Sequence, residues 1–306
     1  MNPLVSVGIP AYKPVYLRDA INSILSQTYQ NWELIIVDDC SPYHLQDIVS
    51  EFNDNRIRYY RNQVNLGAKD PGFNWNKCLE YANGEFFSLL CDDDVYDKRF
   101  IEEMLKLADN HSECNVFRSR VKIVDSNQQL TGFFPSSPDW ETCEDYMWHV
   151  GRSKRSQTIS EWMFRTNHIR RYGGYVNIPF AWGADYLSIY RFSLEGGIAS
   201  TTKLLVSYRE NNSSISSMSD KDGLEKLEAI RLRKQMALSI AKENHFLPFI
   251  NAVILKRNFN ENVFILSHMK LSDLIKVLFK RGKFDISTMI IIKSLLMRLY
   301  IKKVKD

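Results

Sequence analysis

Residues 86–97 read FFSLLCDDDVYD, an apolar run that passes directly into three aspartates. Few sequences constrain a fold so tightly. The run has the length and apolarity of a buried strand, yet its end carries three like charges, whose repulsion and desolvation are costly unless something positive sits there. A second run, ELIIV at 33–37, ends the same way in Asp38 and Asp39. Helical spacing separates these strands: Leu17, Ile21, Ile24 and Leu25 in the first interval, then 44–52, then 72–81. Short strands are expected at 4–9 and near 57–60. Apolar strands alternating with amphipathic helices predict an α/β fold with a mostly parallel sheet covered on both faces. In such sheets the ligand crevice lies beyond the carboxyl ends of the strands, where the DD and DDD groups stand.

Several carboxylates at a strand end suit a hard divalent cation, Mn²⁺ or Mg²⁺, which keeps open positions for phosphate oxygens. The competing reading is that the run caps a helix expected at 98–108, because Asp favours helix N-termini. Other chemistries lack their residues. The six histidines are scattered without HxxxH spacing, and neither a P-loop nor a GxGxxG pattern occurs.

The chain of 306 residues has 25% charged and 44% hydrophobic residues, ordinary for a globular protein. Five cysteines without a CxxC pair point to reduced thiols and a cytoplasmic setting. The opening MNPLVSVGIP has no basic leader followed by an apolar core, so no signal peptide is expected. Residues 110–215 are less regular, 211–220 read as a polar loop, and the chain turns helical from about 221. The net charge of +4 hides an asymmetry, since residues 270–306 hold ten Lys or Arg against three Asp.

The motifs together carry a resemblance. VSVGIPAYK, SILSQTYQNWELIIVDDCS, the NxG at Asn65 and Gly67, WNKCLEYANGEF and CDDD resemble, in order and spacing, the family 2 glycosyltransferases of GT-A fold. The similarity covers about 4–110 and continues more weakly to about 215. It implies a nucleotide-sugar donor, a UDP-sugar first among them, a divalent metal and inversion at the anomeric carbon. By the same resemblance Pro10 and Tyr12 line the pocket for the nucleotide base and Asp39 accepts hydrogen bonds from it. Asp92 holds the ribose hydroxyls and Asp93 ligates the metal on the diphosphate. Asp94 either joins the metal shell or caps the helix. Cys91 stands where many relatives have Asp, so the motif is shifted, and the choice between Asp92 with Asp93 and Asp92 with Asp94 as its two acidic positions stays open.

An inverting transfer is one in-line displacement and needs a carboxylate to take the acceptor proton. FAWGADYLSIYR at 180–191 resembles the family segment that supplies it, with Asp185 in the matching place. VSYRENNSSIS at 206–216 resembles a stretch that usually carries histidine where this chain has Asn211, an amide that cannot hold a proton. Arg209 in that stretch is a candidate partner for the diphosphate. The resulting domain expectation is a catalytic unit at 1–218, with a nucleotide half to about 110 and an acceptor half beyond, then a basic helical extension at 219–306.

Within 270–306, Leu271, Leu274, Ile275 and Leu278 follow helical spacing among lysines. Such a segment either lies on an anionic membrane surface or packs as a cap on the catalytic unit. Nucleic acid is not expected as a partner, because aliphatic residues outnumber stacking aromatics there. The expected acceptor is a glycan or a lipid-linked glycan of a surface polysaccharide such as O-antigen or capsule. A sugar nucleotidyltransferase and a non-catalytic glycan-binding relative are the competing functions. The first lacks its Gly-rich phosphate loop after the opening strand, and the second does not account for the acidic groups.

Overall fold

The computed structural model describes residues 2–66, 71–210 and 223–305. The first strand, β1 (Val5–Ala11), leads through α1 (Leu17–Leu25) to β2 (Trp32–Asp38), then α2 (Leu45–Ser50), β3 (Ile57–Arg61), α3 (Pro71–Glu80) and β4 (Phe86–Leu89). These four strands run parallel in the order β3-β2-β1-β4. In β2 every residue is buried: Leu34 and Ile36 point into one core, Ile35 and Val37 into the other. The two-residue period of a strand divides a continuous apolar run between the two faces, which is why no alternation marks the sequence.

Beyond β4 come β5 (Val95–Tyr96), α4 (Phe100–Asn110), β6 (Val116–Val124), β7 (Leu130–Phe133), β8 (Trp140–Glu141), α5 (Cys143–Gly151), β9 (Trp162–Arg165), α6 (Thr166–Arg171), α7 (Ala184–Phe192) and β10 (Ile198–Arg209). Here the sheet becomes mixed. β9 pairs antiparallel with β4 and β6, whereas β6 and β10 run parallel. The whole is a ten-stranded sheet flanked by helices.

Parallel register places the site. Ala11 lies opposite Asp38, and Gly8 opposite Leu89. The residues following β1, β2 and β4 therefore emerge together on one edge: Tyr12, Asp39 and the aspartates from Asp92. At the far end β10 reaches the same place, because Val206 and Ser207 pair with Tyr96 and Val95 of β5.

Four helices follow: α8 (Gly223–Glu243), α9 (Pro248–His268), α10 (Leu271–Phe279) and α11 (Thr288–Lys305). They are not an independent tail. Ala237, Ile240 and Ala241 of α8 and Ile250 and Ile254 of α9 join the core built on α5, α7 and β9. A third core of Leu227, Ile230, Leu266, Leu274, Val277, Phe284 and Ile290 holds α10 and α11 against them. The apolar stripe expected on α10 divides. Leu274 is buried beside Val277, whereas Leu271, Ile275 and Leu278 are exposed, and the neighbouring Phe279 is 87% exposed. Met289, Ile292, Leu295, Leu296 and Leu299 of α11 are exposed as well. Among the described residues no helix is long and apolar enough to cross a membrane.

Candidate active site

The aspartate turn is held from three directions. Asp92 accepts the backbone N–H groups of Tyr12 and Lys13, each at 2.8 Å, which fastens it to the end of β1. Asp94 is buried and accepts the Ser160 hydroxyl at 2.6 Å and the Arg209 backbone N–H at 3.1 Å. Asp93 stands between them, partly exposed. The helix-cap reading does not describe this turn. α4 begins at Phe100, β5 intervenes, and it is Asp97 that accepts the Arg99 N–H at that helix's start.

Burial, reinforced by the charge of Asp93, raises the Asp92 carboxyl to about 6 and drives Asp94 upward too. Burial first, and the surrounding carboxylates second, push the Cys91 thiol well above its ordinary value, so it stays protonated. Ligand atoms of Cys91, Asp93 and Asp94 all lie within 4.8 Å of one another. Carboxylates crowded until they resist ionising are what a divalent cation relieves. Two carboxylates beside a protonated thiol give a donor set dominated by hard oxygen, which fits Mn²⁺ or Mg²⁺.

The other strand end separates two adjacent aspartates by role. Asp38 is fully buried and accepts from the Tyr59 hydroxyl at 2.6 Å, Arg61 Nη1 at 2.5 Å and the Ser41 N–H at 2.7 Å, so its charge belongs to the protein. Asp39 accepts from Asn62 Nδ2 at 3.0 Å and the Leu66 N–H at 3.3 Å, while Asn65 caps its carbonyl at 2.8 Å. Pro10 lies partly exposed on the same edge, Tyr12 is exposed, and Ser41 ties the Tyr12 carbonyl at 2.7 Å. Gly67 and Asn211 lie outside the described residues.

Arg209 sits deeper than a phosphate-binding arginine would need to. It is 2% exposed, lies 3.9 Å from the Tyr16 ring centroid, and donates to the Asp93 carbonyl at 3.0 Å and to Asp19 at 3.0 Å. Its fork braces the aspartate turn.

Asp185 occupies the first turn of α7, after the left-handed Gly183. It is partly exposed and accepts from Gln157 Nε2 at 2.8 Å. Desolvation raises its carboxyl, with Gln157 and the guanidinium groups of Arg257 and Arg233 acting against that rise. Gln157 Oε1 is buried and has no hydrogen-bond donor among the described residues.

Gln157 and Ser160 are the residues that sequence reasoning missed. They stand three positions apart, within roughly 11 Å of backbone even if extended, and one holds Asp185 while the other holds Asp94. The segment between them is anchored from beneath. Thr158 and Glu161 form a reciprocal capping box, and Glu161, fully buried, accepts from Arg118 Nε at 2.6 Å. Arg118 also donates to Ser137 at 2.8 Å and to the Ser156 carbonyl. The only local signal was TISE at 158–161, which marks a helical start by its Thr-x-x-Glu spacing. Nothing in that spacing points to two carboxylates far away in sequence.

The model of the family "Glycosyl transferase family 2" matches residues 6–183, more than half of the chain. The chain belongs to that family. Within family 2, it is 43% identical over 98 residues to a protein of Escherichia coli K12 named for colanic acid biosynthesis; that match covers 31% of this chain and 34% of the relative. It is 36% identical over 105 residues to the E. coli UDP-Glc:alpha-D-GlcNAc-diphosphoundecaprenol beta-1,3-glucosyltransferase, covering 34% and 40%. The chain thus spans about a third to two fifths of the length of the curated relatives it matches. Among solved structures, Staphylococcus aureus TarS 1-349 in complex with UDP-GlcNAc superposes with a TM-score of 0.72 at 20% identity, covering 92% of this chain and 80% of that one. The mannosyltransferase PcManGT of Pyrobaculum calidifontis, in complex with GDP-Man and Mn²⁺, gives 0.57 at 12% identity, covering 99% and 88%. At these identities the likeness establishes a shared fold, the GT-A architecture of TarS.

Proposed function

We propose that this family 2 chain is a metal-dependent, inverting glycosyltransferase that moves a sugar from a UDP-sugar to a glycan acceptor in surface-polysaccharide synthesis. The observation that carries the reading is the single segment that ties Asp94 through Ser160 and Asp185 through Gln157. In this reading one short segment supports both the carboxylates that would hold a cation and the carboxylate that would act as base. The family membership, and relatives named for colanic acid and for glucosyl transfer to a diphosphoundecaprenol-linked sugar, support the same class of reaction.

In this reading Pro10, Tyr12 and Asp39 receive the base, and Asp92 the ribose. Asp93 and Asp94 hold Mn²⁺ or Mg²⁺, which when bound neutralises charge on the departing diphosphate. Arg209 acts on that end of the site through the turn it braces. Asp185 takes the proton of the acceptor hydroxyl as its oxygen attacks the anomeric carbon from the face opposite the diphosphate. One displacement inverts that centre.

The exposed apolar residues of α10 and α11, with lysines among them, favour the membrane-surface role expected for 270–306 over a purely packed cap. A protein resting on the membrane from the cytoplasmic side would meet a lipid-linked acceptor there. The test of the central reading is Asp93→Ala. UDP with Mn²⁺ should raise the melting temperature of the wild-type protein but not of the variant, and UDP release from UDP-sugars should be lost. Retention of near wild-type, Mn²⁺-dependent turnover by a folded Asp93→Ala would overturn the metal assignment.

A further inference from the structure

We propose that the helical extension is a working part of the catalytic centre, with Arg233 of α8 and Arg257 of α9 serving as positioning residues for Asp185. The inference rests on the reading of Asp185 as the base.

Trp182, Gly183 and Tyr186, on either side of Asp185, pack against those two helices. The Lys226 ammonium of α8 lies 5.1 Å from the Trp182 ring centroid. A Cβ built on Gly183 would stand 2.6 Å from Cδ and 2.9 Å from Nη1 of Arg233, so Arg233 presses directly on the turn that launches α7. Gly183 has φ +84, a left-handed conformation, and any side chain there would meet both backbone strain and the arginine. Arg257 lies 4.4 Å from the Tyr186 ring centroid and fastens itself to the Val150 carbonyl at 3.2 Å.

Glu261 joins the pair. It accepts from Arg257 Nε at 2.9 Å and from Arg233. Two guanidinium groups against one carboxylate leave a net positive charge behind Asp185. Glu161 also interacts electrostatically with Asp185, and it is paired with Arg118. Gln157 completes the ring with its hydrogen bond. Asp185 is thus a desolvated carboxylate whose ionised form is supported by two cations from the extension and one amide from the catalytic loop. Only the ionised form can accept a proton from the acceptor. Asp185, two residues past the end of the family match at 183, is therefore tuned by helices that lie wholly beyond that match.

The test uses the purified full chain with Mn²⁺ and whichever of UDP-glucose, UDP-GlcNAc and GDP-mannose releases nucleotide fastest, measured from pH 5 to 9. Removing a cation destabilises the ionised carboxylate, so the acid limb of the pH–rate profile moves upward. Arg257→Met and Arg233→Met should each move it by about one pH unit, leaving the thermal shift with UDP and Mn²⁺ unchanged. Arg257→Lys keeps the charge and should restore the limb. Arg257→Gln, which can still donate to the Val150 carbonyl, replaces the Met variant if that one does not fold. Asp185→Asn should lose about 10²-fold at every pH. Full turnover in Asp185→Asn would defeat the base reading itself. Loss in Asp185→Asn with an unmoved acid limb in the folded Arg variants would leave that reading standing and overturn this inference.

Discussion

Ser160→Ala is the sharpest probe of how the aspartate turn is built. The hydroxyl is fully buried, donates to Asp94 at 2.6 Å and accepts the Cys91 N–H at 3.1 Å. Truncation removes a hydrogen bond to a carboxylate, worth about 1.5–3 kcal/mol, and strands a backbone N–H, at about 1–3 kcal/mol. The two share one oxygen, so they do not add fully, and a loss of about 3 kcal/mol is expected. For a chain of this size that lowers the melting temperature by roughly 5 °C. The functional effect is separable. Removing an outer partner of a metal ligand weakens metal binding by about 10- to 100-fold. Calorimetric titration of Mn²⁺ in the presence of UDP measures the second effect, and thermal melting without ligand measures the first. If stability falls while Mn²⁺ affinity stays at the wild-type value, Asp94 is a structural residue and Asp93 is left as the carboxylate ligand of the turn. If neither changes, the hydrogen bonds described here do not organise the turn.

Two further outcomes are expected. Arg118→Met should cost about 3–5 kcal/mol, because it leaves Glu161 buried without its cation. Burial already raises Glu161 from 4.5 to about 7, so the folded state holds this proton more tightly than the unfolded chain; stability from this group is present at low pH and lost as pH rises through that window. Urea melts at pH 5 and pH 8 should therefore show the variant's deficit widening at pH 8, and a deficit independent of pH would count against the pairing. For the last helices, Phe279→Glu with Leu278→Glu should abolish co-sedimentation with vesicles containing anionic phosphatidylglycerol and leave UDP release in solution intact. Wild-type binding should weaken as salt rises; binding that survives the double substitution would exclude this face.

How much was legible in sequence depended on the range of the interactions. The strand ends were local signals: five or so apolar residues followed by acidic ones place Asp39 and Asp92–94 on the carboxyl edge without any knowledge of tertiary contacts. Asp185 was reached through a motif. Ser160 and Gln157 were not, since a serine and a glutamine in an irregular segment match no periodicity, and their partners lie 66 and 28 residues away. Arg209 was found as a residue but not in its contacts. Its burial against Tyr16 and Asp19 depends on where β10 ends relative to α1, a distance of 190 residues in the chain.

The sequence alone determined the layered α/β class, the parallel character of its first half and the edge on which carboxylates gather, because strand and helix periods are written in short windows. Only the tertiary structure showed what holds each aspartate, Asp38 by Tyr59, Arg61 and Ser41, and Asp94 by Ser160 and Arg209. Asp38 is paired with Arg61 of the next strand, and Asp39, also buried, accepts from Asn62 and the Leu66 N–H. It also decided that the basic extension reaches back to the turn that carries Asp185. Charge and hydrogen bonding act over short distances in space, and the packing of α8 and α9 brings Arg233 against Gly183 and Arg257 against Tyr186 from 48 and 72 positions beyond Asp185. No window of sequence contains both ends of such a contact.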